Sequence, residues 1–154
     1  MCRPPDGMLL YEGFLSLPRA ERVQITRCAQ PEALRAVRAF YRLLDVSGVE
    51  EPGHPAWLRL VYCVPYLRHT PARVSLGAAI ARGRVGERPL SEARLLQCVR
   101  SQPPLDLLHL QRILRMLAPL PRVHWPHAAA LLWHWGPRSK QRILEGFFLT
   151  RMTG

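Results

Sequence analysis

The stretch PPLDLLHLQRILRMLA, Pro103 to Ala118, has the periodicity that decides the fold class. Its apolar side chains recur every three or four residues, which places them on one side of a helix with about 3.6 residues per turn. Arg112 and Arg115 lie off this stripe. The stripe consists of Leu107, Leu110, Leu114 and Leu117. The pattern predicts a helix whose leucine face packs into a core.

Most of the remaining chain has the same helical pattern, and strand-like alternation is scarce. The segment QPEALRAVRAFYRLLDVSG, residues 30–48, is predicted as one helix, because Pro31 suits a first helical position and Gly48 suits the residue after a helix end. We therefore predict an all-α protein, a helical bundle of two packed helical subdomains that form one compact unit. The subdomains are expected to be residues 1–85 and 86–154.

The charge balance points to a negatively charged partner. The 154 residues include 22 Lys or Arg and 11 Asp or Glu, a formal net charge of +11, and Lys140 is the only lysine. A GC-rich genome explains arginine in place of lysine but not the excess over acids. Soluble domains this basic usually bind a polyanion. Arg35, Arg38 and Arg42 share a face of the predicted helix with no acid beside them, which favours a partner that supplies negative charge.

The cysteines and the N-terminal sequence indicate a cytoplasmic protein. Cys2, Cys28, Cys63 and Cys98 have no C-x-x-C spacing, so we predict buried free thiols instead of zinc ligands or disulfides. The start, MCRPPDGMLL, has no apolar region typical of a signal peptide. No apolar run reaches the roughly 18 residues that a membrane helix needs.

The stretch RVHWPHAAALLWHWGPRSK, residues 122–140, allows three interpretations: a metal site, a base-stacking platform, or a core helix beside a basic patch. His124, His127 and His134 are poorly spaced for zinc, because the last two lie two helical turns apart, about 10 Å along the axis. No glutamate accompanies them as in H-E-x-x-H. The apolar stripe that ends in Trp135 favours the third interpretation, with Trp135 in the core and a basic helix beginning after it.

Sequence motifs for catalysis are missing. The chain has no glycine-rich phosphate loop, no G-x-S-x-G and no spaced pair of carboxylates on a basic cleft, and apart from the adjacent Glu50 and Glu51 its acids are scattered singly. We therefore expect a protein that is not an enzyme and that has no cofactor.

Five collinear segments carry a resemblance to a known family: PEALRAVRAFYRLLD, VSLGAAIARG, RLLQCVRS, LDLLHLQRILRML and VHWPHAAALLWHWGPRSKQRILEGFFLT. Together they resemble the CasB family, the small subunit of the type I-E CRISPR surveillance complex Cascade, over nearly the whole chain. The resemblance implies an all-α protein of two helical subdomains with no catalytic activity. It also implies two copies arranged head to tail along the belly of the complex, in contact with its backbone and large subunits.

In that family the small subunits line a basic groove beside the guide RNA and target DNA, and they help to hold the displaced DNA strand. The resemblance carries this role over to cations inside matching motifs. These candidates are Arg27 in QITRC, Arg42 in FYRLL, Arg100 in LLQCVR, Arg112 in LQRIL, and Arg138 and Lys140 after the WG pair.

Two alternatives come from other classes of protein. A helical adaptor that binds only protein accounts for the helices but gives the charge no role. A metal-dependent hydrolase would use His124, His127 and His134. Retention on single-stranded DNA across a salt gradient distinguishes a nucleic-acid-binding subunit from the adaptor, and metal analysis distinguishes it from the hydrolase.

Overall fold

The fold of residues 7–153, the part of the chain described by a computed structural model, is all-α, as the sequence predicts. The α-helices of these residues are α1 Gly7–Ser16, α2 Arg19–Thr26, α3 Arg38–Val46, α4 Ala56–Cys63, α5 Leu76–Arg82, α6 Glu92–Arg100, α7 Leu105–Met116, α8 Trp125–Trp133 and α9 Pro137–Thr153. Short 3-10 helices cover Pro31–Ala36 and Val64–Tyr66. The strands are two residues long each: β1 Arg68–His69, β2 Arg84–Val85, β3 Arg88–Pro89 and β4 Arg122–Val123.

The leucine stripe of α7 lies in the core as predicted. All four of its residues are buried, and Arg112 and Arg115 are exposed. Serine side chains cap two of the helices at their N-termini, because Ser75 Oγ accepts from the Ala78 N–H at 3.2 Å and Ser91 Oγ accepts from the Arg94 N–H at 3.4 Å. Local periodicity and capping residues therefore specify these helices.

The prediction of one continuous helix over residues 30–48 is wrong. A 3-10 helix ends at Ala36, Val37 is extended at φ −105° and ψ 118°, and α3 begins at the next residue. The change of direction buries both Leu34 and Phe40. It also turns Tyr41 outward, where its hydroxyl donates to the Arg35 carbonyl at 2.6 Å. Burial of side chains from both segments therefore outweighs the local helical pattern.

Two tryptophans of the stretch at 122–140 lie in the core and pack against residues of the N-terminal half of the chain. Trp125 is fully buried and its indole N–H donates to the Gly7 carbonyl at 2.6 Å, while Trp133 is buried against Trp57 and His54. Trp135, which the sequence assigned to the core, is only partly buried and packs at its edge. The stretch is thus a core helix followed by a turn and the start of α9.

Helices α5 and α9 pack more extensively against each other than any other pair. The close approach depends on Gly77, because a Cβ at this position would meet the α9 backbone at Ile143 and lie 2.9 Å from the Phe147 nitrogen. Near the C-terminal end of α9, Arg151 donates hydrogen bonds to the carbonyls of Ala81 in α5 and of Leu90. The boundary between two subdomains after residue 85 stays a prediction. Helix α5 precedes this boundary and α9 follows it, so their packing joins the two predicted subdomains.

A short parallel pairing of β1 with β4 joins two loops that are distant in sequence. Arg68 is in register with Arg122 and His69 with Val123. The Thr70 N–H donates to the Val123 carbonyl at 2.8 Å. The pairing therefore holds the loop after β1 against the residues that lead into α8.

Across residues 7–153 the helices are too short or too polar to cross a bilayer.

The predicted burial of the cysteines is confirmed for the three in the described range, and Cys2 lies outside it. Cys28, Cys63 and Cys98 are free and buried. Burial raises the pKa of the Cys63 thiol to about 12, and it raises the pKa of the Cys98 thiol to about 12 as well. At neutral pH both groups are therefore protonated, and the thiolate is the reactive form.

We expect Cys63 and Cys98 to resist iodoacetamide in the native protein at pH 8 and to react quickly in guanidinium chloride. Time-resolved alkylation followed by peptide mass mapping measures each site separately. Rapid native labelling of either cysteine would show that its surroundings open to solvent.

Candidate nucleic-acid interface

Arginines surround two tyrosines where α2, the second 3-10 helix and α7 meet. The Tyr62 hydroxyl donates to the Ala29 carbonyl at 3.0 Å, and the Tyr66 hydroxyl lies 3.5 Å from the Thr26 carbonyl. The Arg115 guanidinium lies 5.8 Å from the centre of the Tyr66 ring. Burial raises the pKa of Tyr62 to about 12, and the nearby positive charges of Arg115 and Arg112 act in the opposite direction. Arg112, Arg115 and the end of α2 are therefore neighbours.

A cavity of about 270 Å³ adjoins this region, because Thr26 and Pro65 line its wall. Arg19, Arg22 and Arg68 also line it. The Arg22 Nε is buried without a hydrogen-bond partner, so it retains an unused donor. We call the whole region the arginine surface; it comprises Arg19, Arg22, Arg27, Arg68, Arg112 and Arg115.

A second basic feature runs along α8 and the start of α9. One cavity of about 450 Å³ is lined by Arg73, Val74, Ser75, His124 and His127. The next, of about 370 Å³, is lined by residues that include His127, His134, Arg138 and Arg142. Because His127 belongs to both walls, the two cavities adjoin. We call this feature the histidine groove; it comprises Arg73, His124, His127, His134, Arg138 and Arg142.

Hydrogen bonds hold the walls of the histidine groove in place. The His124 N–H donates to the Val74 carbonyl at 2.9 Å, which seats this residue beside the loop that follows β1. Ser139 Oγ is buried and lies 3.0 Å from the carbonyl oxygens of both Leu131 and His134. This contact fixes the turn between α8 and α9, and it sets the first turn of α9 beside α8.

Five of the six predicted site residues are exposed arginines, and four of these, Arg27, Arg100, Arg112 and Arg138, lie outside the ion pairs of the described residues. Arg138 lines the histidine groove, while Arg27 and Arg112 belong to the arginine surface. Arg100 is the last residue of α6 and lines none of the cavities described above. None of these four forms an ion pair with another residue of the range 7–153. The structure therefore divides the predicted set among separate surfaces instead of gathering it into one.

Lys140 occupies a different environment. Its side chain is 12% exposed, and its Nζ lies 2.8 Å from Asp106 Oδ2 and 3.0 Å from the Ser101 carbonyl. Asp106 is fully buried and its Oδ2 also accepts from the Trp135 indole N–H at 2.9 Å. The ammonium group therefore joins α9 to the first turn of α7 and to Ser101, the residue that follows α6, and these contacts lie inside the protein.

The expectation that Arg35, Arg38 and Arg42 have no acid beside them is wrong for two of the three. Arg35 Nε bonds to Glu32 Oε2 at 2.9 Å, and Arg42 Nη1 lies 3.0 Å from Glu21 Oε1. Glu32 lies only three residues before Arg35 in the sequence, whereas Glu21 belongs to α2 and reaches Arg42 through tertiary packing. Both arginines remain exposed, but their charge is partly neutralised by these pairs.

The sequence did not single out Arg19, Arg22 and Arg68 as site residues. It placed Arg115 off the leucine stripe without giving it a role, and it did not include Arg142 among the site residues. Their spacing was a usable signal, because Arg115 follows Arg112 by three residues and Arg142 follows Arg138 by four, which places each pair on one helix face. Arg73 gave no local signal, since it reaches the groove only through the pairing of β1 and β4.

The hydrolase alternative requires ligands that converge on a metal ion. Among residues 7–153 no group of three or more His, Cys, Asp or Glu side chains lies close enough to hold one. His124 instead has its Nδ1 at 3.4 Å from the Thr70 carbonyl, and its ring lies 5.5 Å from that of His69. The histidines are thus spread along a groove.

Comparison with known proteins identifies the family. The chain is 36% identical over 157 residues to the "CRISPR system Cascade subunit CasB" of Escherichia coli strain K12, covering 94% of each protein. It belongs to the CasB family. The resemblance noted from the sequence is thereby confirmed. No protein-family model matches the chain.

The CasB relationship extends to the three-dimensional structure. A chain in the crystal structure of E. coli Cascade bound to a PAM-containing double-stranded DNA target superposes with a TM-score of 0.83 at 36% identity. The match covers 94% of this chain and 97% of that one. The CasB fold is therefore shared over almost the whole length.

Proposed function

We propose that this chain is a non-catalytic subunit of a type I-E Cascade complex in the cytoplasm. In this role it binds nucleic acid without sequence preference and stabilises the guide-RNA R-loop by holding the displaced DNA strand. Its partners are the backbone and large subunits, a second copy of itself placed head to tail, single-stranded DNA and the heteroduplex. The CasB relationship supports membership of such a complex.

The single observation that carries the nucleic-acid role is the uncompensated positive charge on the surface. Three ion pairs form among residues 7–153, and they involve only Arg35, Arg42 and Lys140 of the basic side chains. The described residues that line the cavities of the arginine surface and the histidine groove include no acid. A surface with charge of one sign attracts a polyanion and raises its local concentration.

The physical need for such a subunit follows from the energetics of strand exchange. R-loop formation replaces a DNA duplex with an RNA–DNA duplex of similar stability, so a modest extra contribution decides the outcome. Arginine provides it because its planar group binds phosphate oxygens in bidentate fashion. Phosphate contacts position a strand and carry no sequence information, which suits a protein that must accept any target.

The isolated protein is expected to bind two unrelated single strands of equal length with similar affinity. Its affinity should fall steeply with salt, with a slope on logarithmic axes of about −0.7 for each phosphate contacted. Fluorescence anisotropy at several salt concentrations measures both quantities.

An adaptor that binds only protein would show no affinity for either strand at any salt concentration. A strong preference for one sequence, or an affinity that does not change with salt, would contradict binding through phosphates.

A further inference from the structure

The adjoining cavities of the histidine groove differ in character along their length. The cavity of about 450 Å³ has two imidazole rings in its wall, and its volume falls in the range of about 300–1,000 Å³ typical of small-molecule sites. The other end is flanked by Arg138 and Arg142, which lie four residues apart on the same face of α9. The groove therefore presents flat aromatic surfaces at one end and guanidinium groups at the other.

We propose that the histidine groove seats an unpaired nucleobase between His124 and His127, with the backbone phosphates next to it bound by Arg138 and Arg142. The inference rests on the proposed function, because it specifies how one segment of a single strand is held. Histidine rings stack on unpaired bases as other aromatic side chains do. Stacking tolerates every base, since each has a π face, so the seat is compatible with binding that ignores sequence.

Three features favour binding of a polyanion in the groove, and the first of them favours a nucleic acid over an acidic peptide. The wider cavity is bordered by rings and by Val74, which suit a flat apolar group better than a carboxylate. Arg73 lies at the same cavity, so phosphates on both sides of a seated base have a cation within the groove. Arg73, Arg138 and Arg142 are exposed and form no ion pair with residues 7–153, so they need not release an internal partner to bind phosphate.

His127 is the residue on which the proposal depends, because it lines both cavities. It is exposed and follows Trp125 and Pro126 at the start of α8, so its replacement removes a ring from the groove and leaves the buried core intact. His127→Phe keeps an aromatic face without the ring nitrogens, and His127→Ala removes it. Arg88→Ala is a matched control, since Arg88 is an exposed arginine that lines neither cavity.

The test compares the binding of the full chain to a ten-nucleotide oligothymidylate and to a ten-unit strand with the same phosphates but abasic sugars. We expect the natural strand to bind at least about fivefold more tightly to the wild type. His127→Ala should lose this preference and His127→Phe should retain it. The Arg138→Ala, Arg142→Ala double variant should bind both strands more weakly, and Arg88→Ala should keep the wild-type preference. Circular dichroism confirms that each variant is folded.

The outcomes separate the base seat from the proposed function. If the wild type binds neither strand, the proposed nucleic-acid role fails and the seat fails with it. If it binds both strands equally, or if His127→Ala keeps the full preference, the seat is refuted while phosphate binding stands. A polyglutamate peptide of equal charge serves as a competitor for the bound oligonucleotide. If it competes as strongly as unlabelled oligonucleotide does, the base seat is refuted and the groove is a general anion-binding surface.

Discussion

Replacing Asp106 with alanine is expected to lower the free energy of unfolding by about 3–5 kcal/mol, the usual cost of removing one partner of a buried ion pair. The Asp106 carboxylate is fully buried and bonds to Lys140, to the Trp135 indole and to the Leu107 N–H at 2.8 Å. Without it, the Lys140 ammonium stays nearly buried and keeps the Ser101 carbonyl as its hydrogen-bond acceptor, but it has no anionic partner. The loss therefore includes the desolvation of an unpaired charge.

Urea denaturation of the wild type and of Asp106→Ala measures this change. Asp45→Ala is the control, because Asp45 is exposed on α3 and substitutions of that kind usually change stability by about 0.5 kcal/mol or less. Replacing both partners, as in Asp106→Leu with Lys140→Met, should recover much of the loss since no buried charge remains. A loss below about 1 kcal/mol for Asp106→Ala would contradict the structural role assigned to this pair.

The second large effect is expected at Gly77, where α5 crosses α9. Gly77→Ala should destabilise the protein by about 3 kcal/mol or prevent folding, more than the gain of roughly 1 kcal/mol that alanine brings to a helix interior. The added methyl group would meet the backbone of α9 at Ile143 and Phe147, and a backbone cannot rotate away as a side chain does. The two helices must therefore separate.

Thermal unfolding followed by circular dichroism tests the crossing. Gly53→Ala is the matched control, since a Cβ at Gly53 meets no atom within 4 Å. The control should unfold at about the wild-type temperature. If Gly77→Ala does so as well, the two helices are not packed as closely as described.

Features that depend on neighbours in sequence were predictable. The leucine stripe of α7 and the serine caps of α5 and α6 follow from residues within one or two turns. The break in the helix at Val37 was not predictable, because nothing within the segment 30–48 forbids a continuous helix. It depends on Leu34 and Phe40 both reaching a core that other helices supply.

The composition of the candidate surfaces was even less predictable, because it depends on tertiary contacts that the sequence pattern does not show. The arginines that lie on helix faces were recognisable as exposed, yet the sequence did not indicate which of them meet. Lys140 looked like one more surface cation, and the acid that binds it lies 34 positions earlier. Arg73 and His124 share a cavity because β1 pairs with β4, and a two-residue pairing leaves no periodic pattern. Charge is the basis of the proposed class of partner, and tertiary contacts decide where that charge is available.

The most direct test of the proposed role is the lifetime of the R-loop in reconstituted Cascade. The informative variant combines Arg112→Ala and Arg138→Ala, which removes one cation from the arginine surface and one from the histidine groove. Arg82→Ala with Arg88→Ala is the control, since both are exposed and line none of the cavities described above. All complexes are first shown to have the same subunit stoichiometry.

At equal stoichiometry, complexes with the Arg112, Arg138 variant are expected to recognise the protospacer-adjacent motif normally and to lose the full-length R-loop sooner. The difference from wild type should grow as salt rises. The control complexes should keep wild-type lifetimes. Equal R-loop lifetimes for the wild type and the Arg112, Arg138 variant would contradict the proposal that these basic surfaces hold the displaced strand.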